Sequence, residues 1–425
     1  MQSPEPKRVP TTALLPIEAA LERMLAAISP LSTESLPLLD TLGRVLATDL
    51  VADIDQPSYD RAMMDGFAVR GVDCESGSVD LECIGEAPAG HRFDGVVGAG
   101  QCVRIMTGGI VPEGADSVVA IERTEARPAA ASDGGAPTWR VLERVRRGQH
   151  VALRGCEVSA GDVVVSAGSP LDGARIGTAA SFGRTHIEVF RQPRVVVIPT
   201  GSEIIPIDGR PKPGEVRNSN SYALSALARR CGGQVRREVA VVDDKRALAE
   251  VLTHARDTQD VIVTCGGVSM GDYDLVASTL LELGAEVHFH RVRLKPGKPV
   301  LCASLGGTLV VGLPGNPVSA YVCGLLFMRP ALAALQGGRR RSWTRVRMPL
   351  LSALPATKGR EVVVPARLCS DPQGSLPDGV VAVQLAGSAD LAHFAARDLL
   401  IIRPPHASAA ERGDSVDVLT WPQPA

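Results

Sequence analysis

The chain has 425 residues and a mass of 44.6 kDa, too long for one ordinary hydrophobic core, so roughly two to four domains are expected. A formal net charge of -2 and a pI near 6.5, without a long basic run or aromatic-basic interleaving, argue against nucleic acid as the main partner. The 9 cysteines are scattered and contain no Cys-x-x-Cys pair, which supports neither a disulfide framework nor a zinc site.

The opening stretch Met1 to Arg8 leads into no apolar signal core, and no apolar run is long enough to span a bilayer. A soluble, cytoplasmic protein with no membrane partner is expected. From Pro16 to Ile28, apolar residues at Ile17, Leu21, Leu25 and Ile28 have the spacing of an amphipathic helix opened by a proline. The block from about Asp53 to Gln149 is glycine-rich with short β-type runs, such as Cys102 to Ile105 and Ser117 to Ile121, and predicts an irregular β-containing domain. Within it, Ala126 to Pro137 has too few large apolar residues to bury much and is expected as a mobile surface loop.

From Arg194 to Gln336 strand-like and helix-like segments alternate. Val195 to Ile198 is fully apolar, and Asn220 to Cys231 has helical spacing at Leu224, Leu227 and Cys231 before Gly232 and Gly233. Val235 to Val242 reads as a strand, Lys245 to Ala255 as a helix, Val261 to Thr264 as a strand and Leu275 to Leu283 as a helix. Strands around Val287 to Leu294, Val300 to Ala303 and Leu309 to Val311 follow. Such alternation predicts a mostly parallel sheet with crossover helices, whose ligands bind outside the carboxyl ends of the strands. Arg345 to Thr420 returns to short β-type runs and predicts a small separate β domain.

Three glycine-bearing loops follow apolar strands in this region. One is Thr264-Cys265-Gly266-Gly267-Val268-Ser269-Met270-Gly271-Asp272-Tyr273-Asp274. The second is Lys295-Pro296-Gly297-Lys298, and the third runs from Gly312 through Pro314, Gly315 and Asn316 to Ser319. A lone Lys-Pro-Gly-Lys reads more readily as a solvated basic turn. Three such loops together suggest one polyanion site, because lysine ammonium groups are point-charge partners for phosphate-like oxyanions.

The ordered set of Asp60 to Arg70, Arg104 to Gly109, Pro112 to Asp116, Pro199 to Glu203, Gly266 to Gly271, Lys295 to Lys298 and Gly312 to Pro317 resembles the MoeA family, which includes the gephyrin E domain. The resemblance covers nearly the whole chain. It implies an α/β multidomain protein, with a MogA-like, mostly parallel α/β domain at 191–337 and a small C-terminal β domain at 343–425. Residues 54–149 would form the β-containing second domain, and 11–53 with 150–190 a discontinuous linking domain. The implied activity inserts molybdate into adenylylated molybdopterin, releases AMP and uses magnesium. The implied partners are those two substrates, a second copy of the chain and other molybdenum cofactor biosynthesis proteins. Two alternatives are a non-catalytic molybdopterin-binding scaffold and a transferase that uses tungstate.

Magnesium takes hard oxygen ligands, and the resemblance places Glu203, Asp244 and Asp274 around it. Asp244 and Asp274 each precede a helix, where an aspartate also serves as an N-cap. Lys295 and Lys298 are expected on phosphate or molybdate. Asn220, Gly266, Gly267, Ser269, Gly315 and Asn316 are the expected substrate-binding positions, with Ser319, Arg360 and Ser388 as further oxyanion contacts. Asp65 and Thr107 would reach this site from the other subunit, although Asp65-Gly66 and Thr107-Gly108 also read as turn pairs.

Several positions depart from the family pattern. Ala62 and Met63 stand where Ser-Ala is common, Cys265 where serine is common, and Glu157 where aspartate is common; the last domain differs around Val363 and Pro365. His288 and His290 have metal-ligand spacing, but a solvent-facing strand alternation accounts for them, and a third ligand is missing.

Overall fold

The computed structural model describes residues 14–127, 137–267, 274–338, 343–370, 374 and 377–420. Ser269 and most of the alanine-rich stretch lie outside the described residues. The chain forms two compact units. One takes the residues up to Thr48, Ala167–Gly177 and Thr185 onward, and the other takes Asp49–Ser166 and Thr178–Arg184.

The second unit is organised by a six-stranded sheet in the order Ser117–Ala120, Gly66–Val69, Gln101–Ile105, Val79–Ala87, Thr138–Val141, Thr124–Arg127. Side chains alternate across it as strand geometry requires. Phe67, Val69, Cys102 and Val119 enter one apolar cluster, while Ala68, Val103, Ile105 and Val118 enter another. Both β-type runs expected here are strands.

In the first unit, a six-stranded sheet runs Gln234–Arg237, Arg194–Pro199, Val261–Cys265, Thr308–Leu313, Leu301–Leu305, Glu286–His290. The first four strands are parallel. Leu301–Leu305 pairs antiparallel with both Thr308–Leu313 and Glu286–His290, so it alone runs against the other five strands. Its reversal has a local cause, because Gly306 and Gly307 join it to Thr308–Leu313 in a two-residue hairpin with φ of 59° and 90°, the double positive φ of a type I′ turn. The strand Arg194–Pro199, apolar from Val195 onward, is covered on both sides. Val195 and Val197 face the cluster holding Leu224, Leu227 and Phe327, whereas Val196 and Ile198 face the one holding Leu248, Leu252 and Leu280.

The expected helices are present as Ile17–Ala26, Ser219–Arg230, Lys245–Thr258 and Leu275–Glu282. The strand expected over Val235 to Val242 stops at Arg237. The sequence around Pro317 to Leu335 departs from expectation more clearly. This 19-residue helical run is long and apolar enough to cross a bilayer, but most of it is buried inside the protein, where it serves as a core helix.

The C-terminal region forms a sheet in the order Leu294–Lys295, Glu361–Cys369, Leu399–Arg403, Ser415–Thr420, Thr344–Pro349, with Gly379–Ala382 also on Glu361–Cys369. It has an apolar cluster of its own around Leu350, Val380 and Ile401. Val363, Leu400 and Leu419 extend instead into the large cluster beneath the α/β sheet. Lys295 pairs with Val362, so the Lys-Pro-Gly-Lys turn starts from an edge strand of this β sheet.

One half-buried charge cluster ties the start of the α/β region together. Asp260 accepts from Arg191 Nη1 and Nη2, each at 2.7 Å, and from the Arg194 amide at 2.7 Å. Burial alone would raise this carboxyl, but the hydrogen bonds from Arg191 and Arg194 outweigh it and hold the group far below the usual carboxylate range. A depressed folded value contributes stability that is complete above the unfolded pKa of about 4 and is lost as the pH falls through the folded value. Asp260→Asn should therefore cost about 2 kcal/mol near neutral pH, with the gap to wild type closing in strong acid. Urea denaturation at both pH values checks this, and a gap independent of pH would refute it.

Candidate active site

The carboxyl ends of the parallel strands open into a cavity of about 990 Å³. Thr200 and Gly201 follow the strand Arg194–Pro199, Cys265 ends Val261–Cys265 and Gly266 and Gly267 follow it, and Pro314, Gly315 and Asn316 follow Thr308–Leu313. Glu203 and Asn220 also line it. Asn220 Nδ2 donates to the Gly315 carbonyl at 2.6 Å, and Asn316 Nδ2 donates to Ser388 Oγ at 2.8 Å, bringing Ser388 next to the cavity. The strand ends approach closely. Gly266 has φ +100°, and a Cβ there would stand 2.4 Å from the Thr200 carbonyl oxygen.

Cys265 is buried at the base of this space, and its Sγ donates to the Pro314 carbonyl at 3.4 Å. Burial pushes its thiol up to about 12. The thiol therefore stays protonated and fills the place of a small polar residue without acting as a nucleophile.

The three expected magnesium ligands are not gathered. Asp244 is exposed and caps the Lys245–Thr258 helix, accepting from the Ala247 amide at 2.8 Å. Asp274 caps the Leu275–Glu282 helix through Ala277 N at 3.0 Å and is only 8% exposed. Its Oδ2 lies 2.7 Å from His290 Nε2. The approach is off the line of a well-formed hydrogen bond, and neither atom has another partner among the described residues. Among the described residues no three His, Cys, Asp or Glu side chains form a metal-holding group. His290 was expected to face solvent. A bulge between Val287 and Phe289 breaks the alternation of the strand, so Phe289 and His290 are both buried.

Lys295 is exposed and Lys298 half-buried, and neither lines the cavity, although the next residue, Pro299, does. Ser319 is buried in the helix starting at Pro317 and does not line it either. Arg360 is half-exposed, with its amide donating to the Lys358 carbonyl at 2.8 Å. In the other unit Asp65 and Thr107 are joined, since the Thr107 amide and hydroxyl both donate to Asp65 Oδ1 at 2.7 Å. Those two hydrogen bonds hold the Asp65 carboxyl below its ordinary value.

Sequence reasoning missed Thr200, Arg217, Asn218, Asp243, Lys245 and Ser278 as lining residues. The available signal was position. Arg217, Asn218, Asp243 and Lys245 all stand at or just before a helix start that follows a strand, where a doubly wound sheet places its ligand contacts.

The sequence pattern of the MoeA N-terminal region (domain I and II) matches residues 15–183, and that of a probable molybdopterin binding domain matches 196–334. A molybdopterin molybdenumtransferase of a Nostoc species is 32% identical over 403 residues, covering 92% of this chain and 89% of its own. One from Staphylococcus aureus is 32% identical over 327 residues, 76% of either chain. Among solved structures, a molybdopterin biosynthesis MoeA protein from Pyrococcus horikoshii superposes with a TM-score of 0.80 at 27% identity, over 96% of this chain and 100% of that one. Another solved structure of a molybdopterin biosynthesis MoeA protein from that organism gives 0.76 at 30% identity, over 96% and 99%. The matches follow the chain in order, and nearly all of the cavity falls within the molybdopterin-binding segment. The chain belongs to the MoeA family, the molybdopterin molybdenumtransferases of molybdenum cofactor biosynthesis.

Proposed function

We propose that this chain inserts molybdate into adenylylated molybdopterin in the cytoplasm, with magnesium assisting the release of AMP. The observation that carries the reading is the cavity itself. Its volume of about 990 Å³ suits a ligand the size of a pterin nucleotide, and it sits at the strand ends with glycine turns and helix starts around it. Glycine at 266 lets the ligand approach the backbone, and the amides at the start of the Ser219–Arg230 helix favour an anion.

Magnesium is normally held by one or two carboxylates together with substrate phosphates. Glu203 and Asp243 line the cavity and fit that requirement, whereas Asp244 and Asp274 are engaged as helix caps. When bound, the ion would neutralise charge on the pyrophosphate linkage as it is cleaved. The residues of the chain orient the nucleotide: Asn220 and Asn316 present amides, and Thr200 and Ser278 present hydroxyls. Lys295 and Lys298, outside the cavity lining, are the proposed contacts for incoming molybdate.

The deciding experiment incubates the purified protein with adenylylated molybdopterin, magnesium and either molybdate or tungstate while AMP is measured. Release that depends on molybdate is expected, and no release with either oxyanion would leave a binding protein. The homodimer in which Asp65 and Thr107 complete the partner's site is tested by mixing Asp65→Asn and Glu203→Gln chains. Under random exchange, activity should recover toward roughly a quarter of wild type, because a mixed dimer has one site free of both lesions. A mixture with proven exchange but no activity would remove the shared site.

A further inference from the structure

We propose that Arg217 is the residue by which the cavity recognises a phosphoryl group of the pterin nucleotide, a binding role outside the glycine-loop motifs. This rests on the nucleotide-binding reading given above. Among the described lining residues, only Arg217 and Lys245 carry a positive charge. Glu203 and Asp243 put two carboxylates in the same space, so an anionic ligand needs a cationic side chain to be held there.

The two cations differ in availability. Lys245 is ion-paired with Glu282, which compensates its charge. Arg217 has no ion pair among the described residues. Its Nε donates to the Gly209 carbonyl at 2.9 Å, which holds the guanidinium in place and leaves the two terminal nitrogens for a ligand.

The backbone around Arg217 is fixed. Ile204 and Ile205 pair in parallel with Val216 and Arg217. The Val216 amide donates to the Glu203 carbonyl at 2.9 Å, and the Asn218 amide to the Ile205 carbonyl at 3.0 Å. Asn218 then caps the 12-residue helix Ser219–Arg230 by accepting from Ser221 N at 3.2 Å. A guanidinium held this way, beside the first turn of a helix, suits bidentate contact with a phosphate.

The test measures equilibrium binding of adenylylated molybdopterin to the full-length protein. Arg217→Gln should weaken binding by about tenfold or more, and Arg217→Lys should recover only part of it, because an ammonium lacks the planar fork. Arg210→Gln removes the same charge from the same excursion, at an exposed residue that does not line the cavity, and should bind like wild type. Equal binding by Arg217→Gln and wild type overturns the proposal, as does an equal loss in Arg210→Gln, which would mean net charge alone is read. A wild-type protein that binds the nucleotide but releases no AMP would refute the proposed reaction while the Arg217 comparison still stands. Wild-type protein that does not bind it refutes both.

Discussion

His290→Ala should lower the free energy of unfolding by about 3 kcal/mol or more, a large share of the stability of an ordinary domain. His290 is 5% exposed and Asp274 8% exposed, and the imidazole lies 2.7 Å from the carboxylate oxygen that the helix cap leaves unused. Asp274 Oδ2 has no hydrogen-bond partner among the described residues even with the ring present, so removing the ring takes away its close ion-pair contact, and an unpaired buried charge is far more costly than a missing surface contact. His290→Gln, which restores a donor of similar reach, should recover a good part of the loss. Guanidinium denaturation of the three proteins is the measurement, and wild-type stability in His290→Ala would show that Asp274 has another partner.

Gly266→Ala should abolish most nucleotide binding and turnover. The substitution meets two independent obstacles: a backbone φ of +100°, which alanine rarely adopts, and a Cβ only 2.4 Å from the Thr200 carbonyl oxygen. Because that neighbour is backbone, relief requires the ends of adjacent strands to separate, and those ends carry Thr200, Gly201 and Cys265 of the cavity lining. A stability loss of about 2 kcal/mol and at least a hundredfold drop in kcat/KM, on the order of 3 kcal/mol, are expected. Unchanged binding would mean that the Gly266 turn does not shape the ligand site.

The α/β segment was legible in the chain because its signals are local. Apolar runs such as Val195 to Ile198, glycine stops such as Gly232-Gly233 and the helical spacing of Leu224 and Leu227 need no distant partner to be read. The one antiparallel strand of the sheet was legible in principle too, since Gly306-Gly307 between two apolar runs is a hairpin signal. The family motifs likewise pointed to Gly266, Gly315, Asn316 and Glu203, all of which line the cavity.

Tertiary structure decided which charged groups meet. Along the chain Asp243 and Asp244 look interchangeable, yet the helix turns one toward its own first-turn amides and leaves the other on the cavity. Nothing local links Asp274 to His290; a bulge at Val287 to Phe289 buries the histidine, and strand order carries it to the start of a helix 16 residues earlier in the chain. The long apolar helix from Pro317 satisfies the composition of a membrane span, and only the sheet and helices packed around it show that its apolar surface is already covered. Periodicity and turn chemistry depend on neighbours a few residues away and survive in the bare sequence. Burial and charge pairing depend on residues far apart in the chain, so they are settled only when the fold brings those residues together.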